Sequence, residues 1–296
     1  MAKETNNSTV NKKTIEASST MPWPIAIDET TFPDGLFRKY VTKNISGKDG
    51  SPSILTQEEA DAVTKIDVSD KDITSLKGIE YFANLTELNA SHNKLTELDV
   101  SRNPQLTKLN ADYNELEELD VSRNPQLKEL SVWSNHLEEL DVTHNTQLDW
   151  LNVNSNRLKK LDVSHNTQLD GLDACCNSLE ELDVSHNTQL DYLSVGTNNL
   201  MEFDVDNNTQ LTFLNVSDNG LCSLDVSNNT KLDHLDVGCN DLDELDVSNN
   251  TLLTHLNVMS TYMSEIDLSN NDKLTDFEGY CDVIYDDIDE DDDMSE

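Results

Sequence analysis

The sequence predicts an α/β solenoid dominated by β-structure, with parallel short strands stacked along one axis behind a short helical N-terminal cap. Three observations predict it. Leu98-Asp99-Val100-Ser101-Arg102-Asn103 recurs 21 residues later as Leu119-Asp120-Val121-Ser122-Arg123-Asn124, and the phrase occurs nine times, ending at Ile266-Asp267-Leu268-Ser269-Asn270-Asn271. Each unit is itself double: Leu85-Thr86-Glu87-Leu88-Asn89-Ala90-Ser91-His92-Asn93 is answered by Leu95-Thr96-Glu97-Leu98-Asp99-Val100-Ser101-Arg102-Asn103. Apolar residues hold positions one, four and six of each half, as in Leu148, Leu151 and Val153, so each half can form a short strand with alternate side chains inward. A unit of about 20–30 residues cannot bury its apolar side alone, and stacking supplies the core.

At 296 residues the chain is read as one elongated domain, about 50 Å long by coil count and spacing, because a repeat array grows along an axis. Its net charge of -38, from 58 acidic and 20 basic side chains, repels nucleic acid phosphates and anionic lipid heads. Nucleic acid is therefore not an expected partner. Beyond Lys160 the basic residues are Lys231 and Lys273, so the C-terminal half should steer basic partners or cations toward itself. No run of 18 apolar residues exists, which excludes a membrane-spanning helix. Met1 to Thr20 has lysines but lacks the apolar stretch of a secretory signal.

In chain order, residues 1–23 are polar and expected to be disordered. Residues 24–62 read as the helical cap. Leu36, Phe37, Tyr40 and Val41 stand at helical spacing, and Thr56-Gln57-Glu58-Glu59 reads as a capping box opening a second helix that runs to about Val63. Between them, Ile45 and Gly47 stand where a calcium loop needs ligands, so a turn at Asp49-Gly50 is the expectation. The solenoid covers residues 63–281: a 22-residue coil from Val63, nine 21-residue coils from Leu85 to the one at Leu253, and a partial coil from Leu274. Residues 282–296 form an acidic tail, with Tyr280, Val283, Ile284 and Ile288 placed to fold over the open end.

Asparagine closes the first half of most coils, from Asn93 to Asn240, and the second half from Asn103 to Asn271. Both columns read as framework: amides pairing with backbone groups at the corners and with the next Asn along, where an unmet group would cost about 1–3 kcal/mol. The five cysteines read as free thiols. Cys176, Cys239 and Cys281 share a column, but gaps of three and two coils put them about 14 and 10 Å apart, beyond disulfide reach.

The motif L-x-x-L-x-L-x-x-N-x-L resembles that of the leucine-rich repeat family. A 21-residue unit ending L-D-V-S-x-N resembles its nested bacterial subclass, and Phe32-Pro33-Asp34-Gly35-Leu36-Phe37-Arg38 resembles the opening segment of such proteins from gut and host-associated bacteria. The resemblance implies a leucine-rich repeat solenoid, used by exported proteins for contact with other molecules. A secreted or cell-surface location follows from it, with the cytoplasm as runner-up.

Function is sought where the repeat varies. The third position of the coil reads Lys65, Glu87, Lys108, Glu129, Trp150, Gly171, Tyr192, Phe213, His234 and His255, and the seventh and eighth add Tyr113, Trp133, Met259 and Tyr280. These positions point outward from the stacked strands, so large aromatics there should be exposed and form one long strip. Tyr113, Trp133, Trp150, Tyr192, Phe213, His234 and His255 are the predicted ligand face, since aromatic anchors among polar residues suit a protein interface and also sugar rings. The column of Asp at position 15 is expected to be held by Ser, Asn and backbone N–H groups with some rise in pKa, in preference to a bridging cation. His144, His165 and His186 also stack, but Arg and Asn hold the same position in other coils, which reads as drift rather than a metal site. No catalytic residue, metal or cofactor is assigned. The sequence predicts a non-catalytic module that binds a protein partner, steered by charge toward a basic one, with a carbohydrate-binding or adhesive surface module as the alternative.

Overall fold

The computed structural model describes residues 23–47, 50 and 52–284. The expectations for the N-terminal segment as far as residue 22, and for the acidic tail from residue 285 with its Ile288, lie outside these residues.

Asp34 begins the cap by accepting the N–H groups of Leu36 and Phe37 at 2.8 and 2.9 Å, which opens helix α1 (Gly35–Asn44). Its second oxygen accepts the N–H and hydroxyl of Thr74, both at 2.9 Å, tying the helix to the first coil. Of the four apolar residues at helical spacing, Phe37 and Val41 are buried and Tyr40 is half-buried, while Leu36 faces water. Phe32 sits beneath α1, fully buried, with its ring 5.8 Å from Phe37 and 5.7 Å from Tyr81. Gly78 allows that packing: at φ 105° it adopts a left-handed conformation, and a Cβ there would lie 2.3 Å from the Phe32 ring.

The capping box forms as the sequence implies. Thr56 Oγ1 accepts the Glu59 N–H at 3.2 Å and Glu59 accepts the Thr56 N–H at 3.1 Å, but helix α2 (Gln57–Asp61) ends before Val63. A two-stranded antiparallel ribbon, Ile25–Ala26 against Ile54–Leu55, brackets α1. The turn after α1 closes through Gly50 N–H to the Gly47 carbonyl at 3.0 Å, with Asp49 outside the described residues.

The solenoid is one parallel sheet of eleven three-residue strands, from Lys65–Asp67 through His255–Asn257 to Asp276–Glu278. Each strand pairs in register with the same positions one coil away, for example Trp150 with Gly171 and Leu151 with Leu172. The central residue of nearly every strand is an inward Leu or Ile at 0–2% exposure, which leaves its two neighbours pointing outward. Inward residues of both halves form one continuous core along the axis.

The second half of the coil differs from expectation. It is not a ladder of strands except at the last coil, where Glu265–Asp267 pairs with Asp282–Ile284. Its carbonyls are already committed. The Val100 carbonyl accepts Asn103 N–H at 3.0 Å and Asn124 Nδ2 at 3.0 Å, and the Asn103 carbonyl accepts the same amide at 2.9 Å. Apart from its first residue, whose carbonyl accepts a backbone N–H of the next coil as Leu95 does from Glu115 at 2.9 Å, coil-to-coil bonding on this side runs through asparagine side chains onto the backbone, not from one Asn side chain to the next. At the C-terminal end Val283 packs against the core, whereas Tyr280 and Ile284, expected to cover it, are exposed. All five cysteines are unpaired: Cys175 is buried, and Cys176 faces out.

Candidate interaction surface

The outward column at the first residue of each strand changes character along the axis. At its N-terminal end charges alternate: Lys65 Nζ lies 2.6 Å from Glu87, and Lys108 pairs with Glu129. Opposite charges on facing positions of neighbouring strands attract one another. From Trp150 onward the column is aromatic. Trp150 and Tyr192 have ring centroids 5.6 Å apart, Tyr192 and Phe213 stack at 4.6 Å, Phe213 and His234 at 4.6 Å, and His234 lies 5.1 Å from His255. The row ends at Asp276, whose carboxylate is 3.9 Å from His255 Nε2.

Trp150 spans two coils because the strand between carries Gly171. A Cβ at Gly171 would lie 2.2 Å from the Trp150 ring, so the indole lies over this backbone to reach Tyr192. Sequence reasoning gave Gly171 no role. The available signal was a lone glycine inside a strand beside a large ring.

The rings are less exposed than outward geometry alone implies. Trp150 is 37% exposed and Tyr113 36%, while Trp133, Tyr192, Phe213, His234 and His255 are half-buried. The strand spacing is close to ring-stacking distance, so each ring covers part of its neighbour. The strip is also divided in two. Tyr113 and Trp133 lie on the turn after the strand, where Tyr113 has φ 52°, stacks on His92 at 4.3 Å and meets Trp133 at 4.6 Å. Asp112 holds this corner by accepting Trp133 N–H at 2.8 Å and Ser131 Oγ at 2.5 Å.

Carboxylates border the main row. Glu129, Asp149 and Asp170 surround Trp150 in a shallow hollow of about 370 Å³. Burial, then the neighbouring charge of Glu129, pushes Asp149 above the usual carboxylate range. Burial and the nearby Asp173 likewise raise the Tyr192 phenol. A cation placed in the hollow would offset the charge that raises Asp149.

On the other half of the coil the aspartate column behaves opposite to the expected rise. Ser122 donates its hydroxyl and N–H to Asp120, Thr143 does so to Asp141 and Ser164 to Asp162, and each carboxyl is held below the usual range. The N–H distances are 2.8–2.9 Å. Local donors outweigh repulsion between coils because these carboxylates face water. Folded-state pKa values below the ordinary 3.8 mean that the stabilisation is present above pH 3.8 and lost as pH falls through the lower folded values. Chemical denaturation midpoints are thus expected to hold from neutral pH to about pH 4 and to fall steeply below it. A midpoint already falling between about pH 6 and pH 5 would contradict this.

His144, His165 and His186 are exposed on the same side. Among the described residues no group of three or more His, Cys, Asp and Glu side chains is placed to hold a metal ion. The Cys175 thiol, 2.8 Å from Ser194 Oγ, is pushed by burial up to about 11, which keeps it protonated and inert. No helix among the described residues is long and apolar enough to cross a membrane.

Comparison with known proteins places this geometry in context. The family model for the leucine-rich repeat domain of the endo-β-N-acetylglucosaminidase EndoS matches residues 32–166, and a general leucine-rich repeat model matches residues 175–192. No curated protein matches the sequence. The functional domain of InlJ from Listeria monocytogenes, described as including a cysteine ladder, is 35% identical with a TM-score of 0.72, and the match covers 86% of this chain and 61% of that one. The chain thus spans less than two thirds of that relative, and its own ladder columns are asparagine. An internalin, InlF, from the same species is 21% identical with a TM-score of 0.57, covering 90% of this chain and 94% of that one. The leucine-rich repeat ectodomain of a plant membrane receptor kinase from Arabidopsis thaliana, solved in complex with Casparian strip integrity factor 2, is 21% identical with a TM-score of 0.58. That match covers 67% of this chain and 31% of the receptor chain. The last two likenesses concern the fold alone.

Proposed function

The chain is a leucine-rich repeat protein of bacterial type with repeats of about 21 residues, and on that premise we propose that it is a non-catalytic module that binds a protein through the aromatic row of its sheet. One observation carries the reading: the outward column from Trp150 to His255 is a continuous stack of rings, in a repeat whose other outward columns are mostly short or charged. Large rings that lean on one another lose little freedom on binding, which suits them as anchors. The carboxylates around Trp150 favour a partner with lysine or arginine opposite that ring, where a cation meets both the π face and Asp149. Catalysis has no place in this reading, because the polar side chains serve the framework and the hollow at Trp150 is open.

Affinity capture with the native chain, against a variant carrying serine at Trp133, Trp150, Tyr192 and Phe213, tests the reading. The native chain should retain a protein that the variant loses, and purified partner and chain should then bind with an affinity that falls as salt rises. Equal retention by both chains rejects the strip. The match to an endoglycosidase's repeat domain favours a second reading, in which the same rings hold a glycan. Glycan-array binding abolished by Trp150→Ala and Tyr192→Ala, with no protein retained, would select it.

A further inference from the structure

We propose a second docking surface, on the half of the coil away from the sheet, for a lysine- and arginine-rich polypeptide segment carrying one bulky apolar side chain. In most coils on this side a polar residue precedes a nearly constant Glu-Leu-Asp-Val-Ser, yet one coil reads Met201-Glu202-Phe203-Asp204-Val205-Asp206. That coil departs from the column at three places, and all three line one groove of about 1220 Å³ extending over four coils from Lys160 to Asp225. Sequence irregularity and surface relief are independent observations, and they coincide.

Each departure has a chemical consequence. Glu117, Glu138 and Glu180 hold the position of Met201 in other coils, whereas Met201 is apolar and 77% exposed. Phe203 replaces a leucine that is nearly buried in neighbouring coils, at 9% exposure for both Leu182 and Leu224, and remains half-exposed. Together they make an apolar patch within an acidic surround. Ser223, where glutamate is common in this column, lowers one wall.

The third departure sets the charge of the occupant. Elsewhere the residue two beyond the column aspartate donates a hydroxyl to it, as Ser164 Oγ does to Asp162 at 2.6 Å. Asp206 still donates its N–H to Asp204 at 2.8 Å but brings a second carboxylate in place of the hydroxyl. A carboxylate donates nothing, so two negative groups meet where other coils have a charge and its donor. Glu180, Glu181 and Glu202 line the same groove with four members of the aspartate column, and its single basic residue, Lys160, is 3.5 Å from Glu181. Charge complementarity therefore selects a cationic partner, and Met201 with Phe203 selects an apolar side chain within it.

The test restores the ladder with residues that neighbouring coils already use: Met201→Glu, Phe203→Leu and Asp206→Ser together. This triple variant keeps the net charge of the chain, because one carboxylate is gained and one lost. The probe is a synthetic lysine- and arginine-rich peptide containing one tryptophan, titrated calorimetrically at physiological salt. The native chain should bind it, and the restored chain should bind at least about tenfold more weakly, a difference of about 1.4 kcal/mol. The peptide with alanine for tryptophan should weaken similarly on the native chain alone. No binding by the native chain, equal binding by native and restored chains, or indifference to the tryptophan would each overturn the proposal.

Discussion

Asn135→Ala is expected to destabilise the solenoid by about 3–5 kcal/mol, and Asn145→Ala, ten residues on, by about 2–3 kcal/mol. Both asparagines are buried, at 4% and 0% exposure, but their bonding differs. Asn135 Nδ2 donates to the carbonyls of Ala111, Val132 and Trp133 at 2.9, 3.0 and 3.4 Å, and its Oδ1 accepts Leu116 N–H at 3.1 Å. Removing it orphans the buried Leu116 N–H, whereas the three carbonyls each keep another donor: Asn114 Nδ2, Asn156 Nδ2 and Tyr113 N–H. Asn145 Nδ2 donates to the Val121 and Asn124 carbonyls at 3.0 and 2.9 Å, while its Oδ1 has no hydrogen-bond partner among the protein groups. Its loss leaves acceptors only, and a carbonyl with one bond remaining tolerates that better than an N–H with none. Urea denaturation of the two variants should rank them in that order, with the Asn135 variant less stable. The reverse order would mean that the second column carries the coil-to-coil bonding that matters.

Phe32→Ala should cost a comparable amount, about 3–5 kcal/mol, and should do so at one end of the molecule. Phe32 is fully buried between Phe37, Tyr81 and the space above Gly78, so alanine leaves a cavity where the cap meets the array. Coils in a solenoid touch only their neighbours, so an uncovered end frays before the centre opens. Amide exchange should accelerate first in the strands at Lys65–Asp67 and Glu87–Asn89, and only later at Tyr192–Ser194. Uniform acceleration along the chain would show that the cap stabilises the array as one cooperative block.

Much of this architecture was legible in the sequence because each part of it rests on a local rule. Thr56 and Glu59 form their capping box within four residues, so no distant contact was needed to foresee α2. Leu88, Leu109 and their successors point inward because alternation is intrinsic to a strand. The second half of the coil was misread as strand for a related reason. It has the same apolar spacing, but the bonds of Val100 and Asn103 to Asn124 come from the next coil, which spacing does not reveal. Likewise the aspartate column was expected to rise in pKa from its lateral repulsion, when the nearer hydroxyl and N–H of Ser122 or Ser164 outweigh charges one coil away.

By itself the sequence determined the repeat, the stacking direction, the inward leucines and the column to which each outward residue belongs, since a period assigns positions without reference to side-chain conformation. Only the tertiary structure decided how the outward residues meet: that Trp150 crosses Gly171 to reach Tyr192, that Tyr113 and Trp133 stand apart on the turn, and that Met201, Phe203 and Asp206 line one groove. The physical reason is that contacts between coils depend on side-chain direction and on what the neighbouring coil leaves vacant, and both are properties of the packed array.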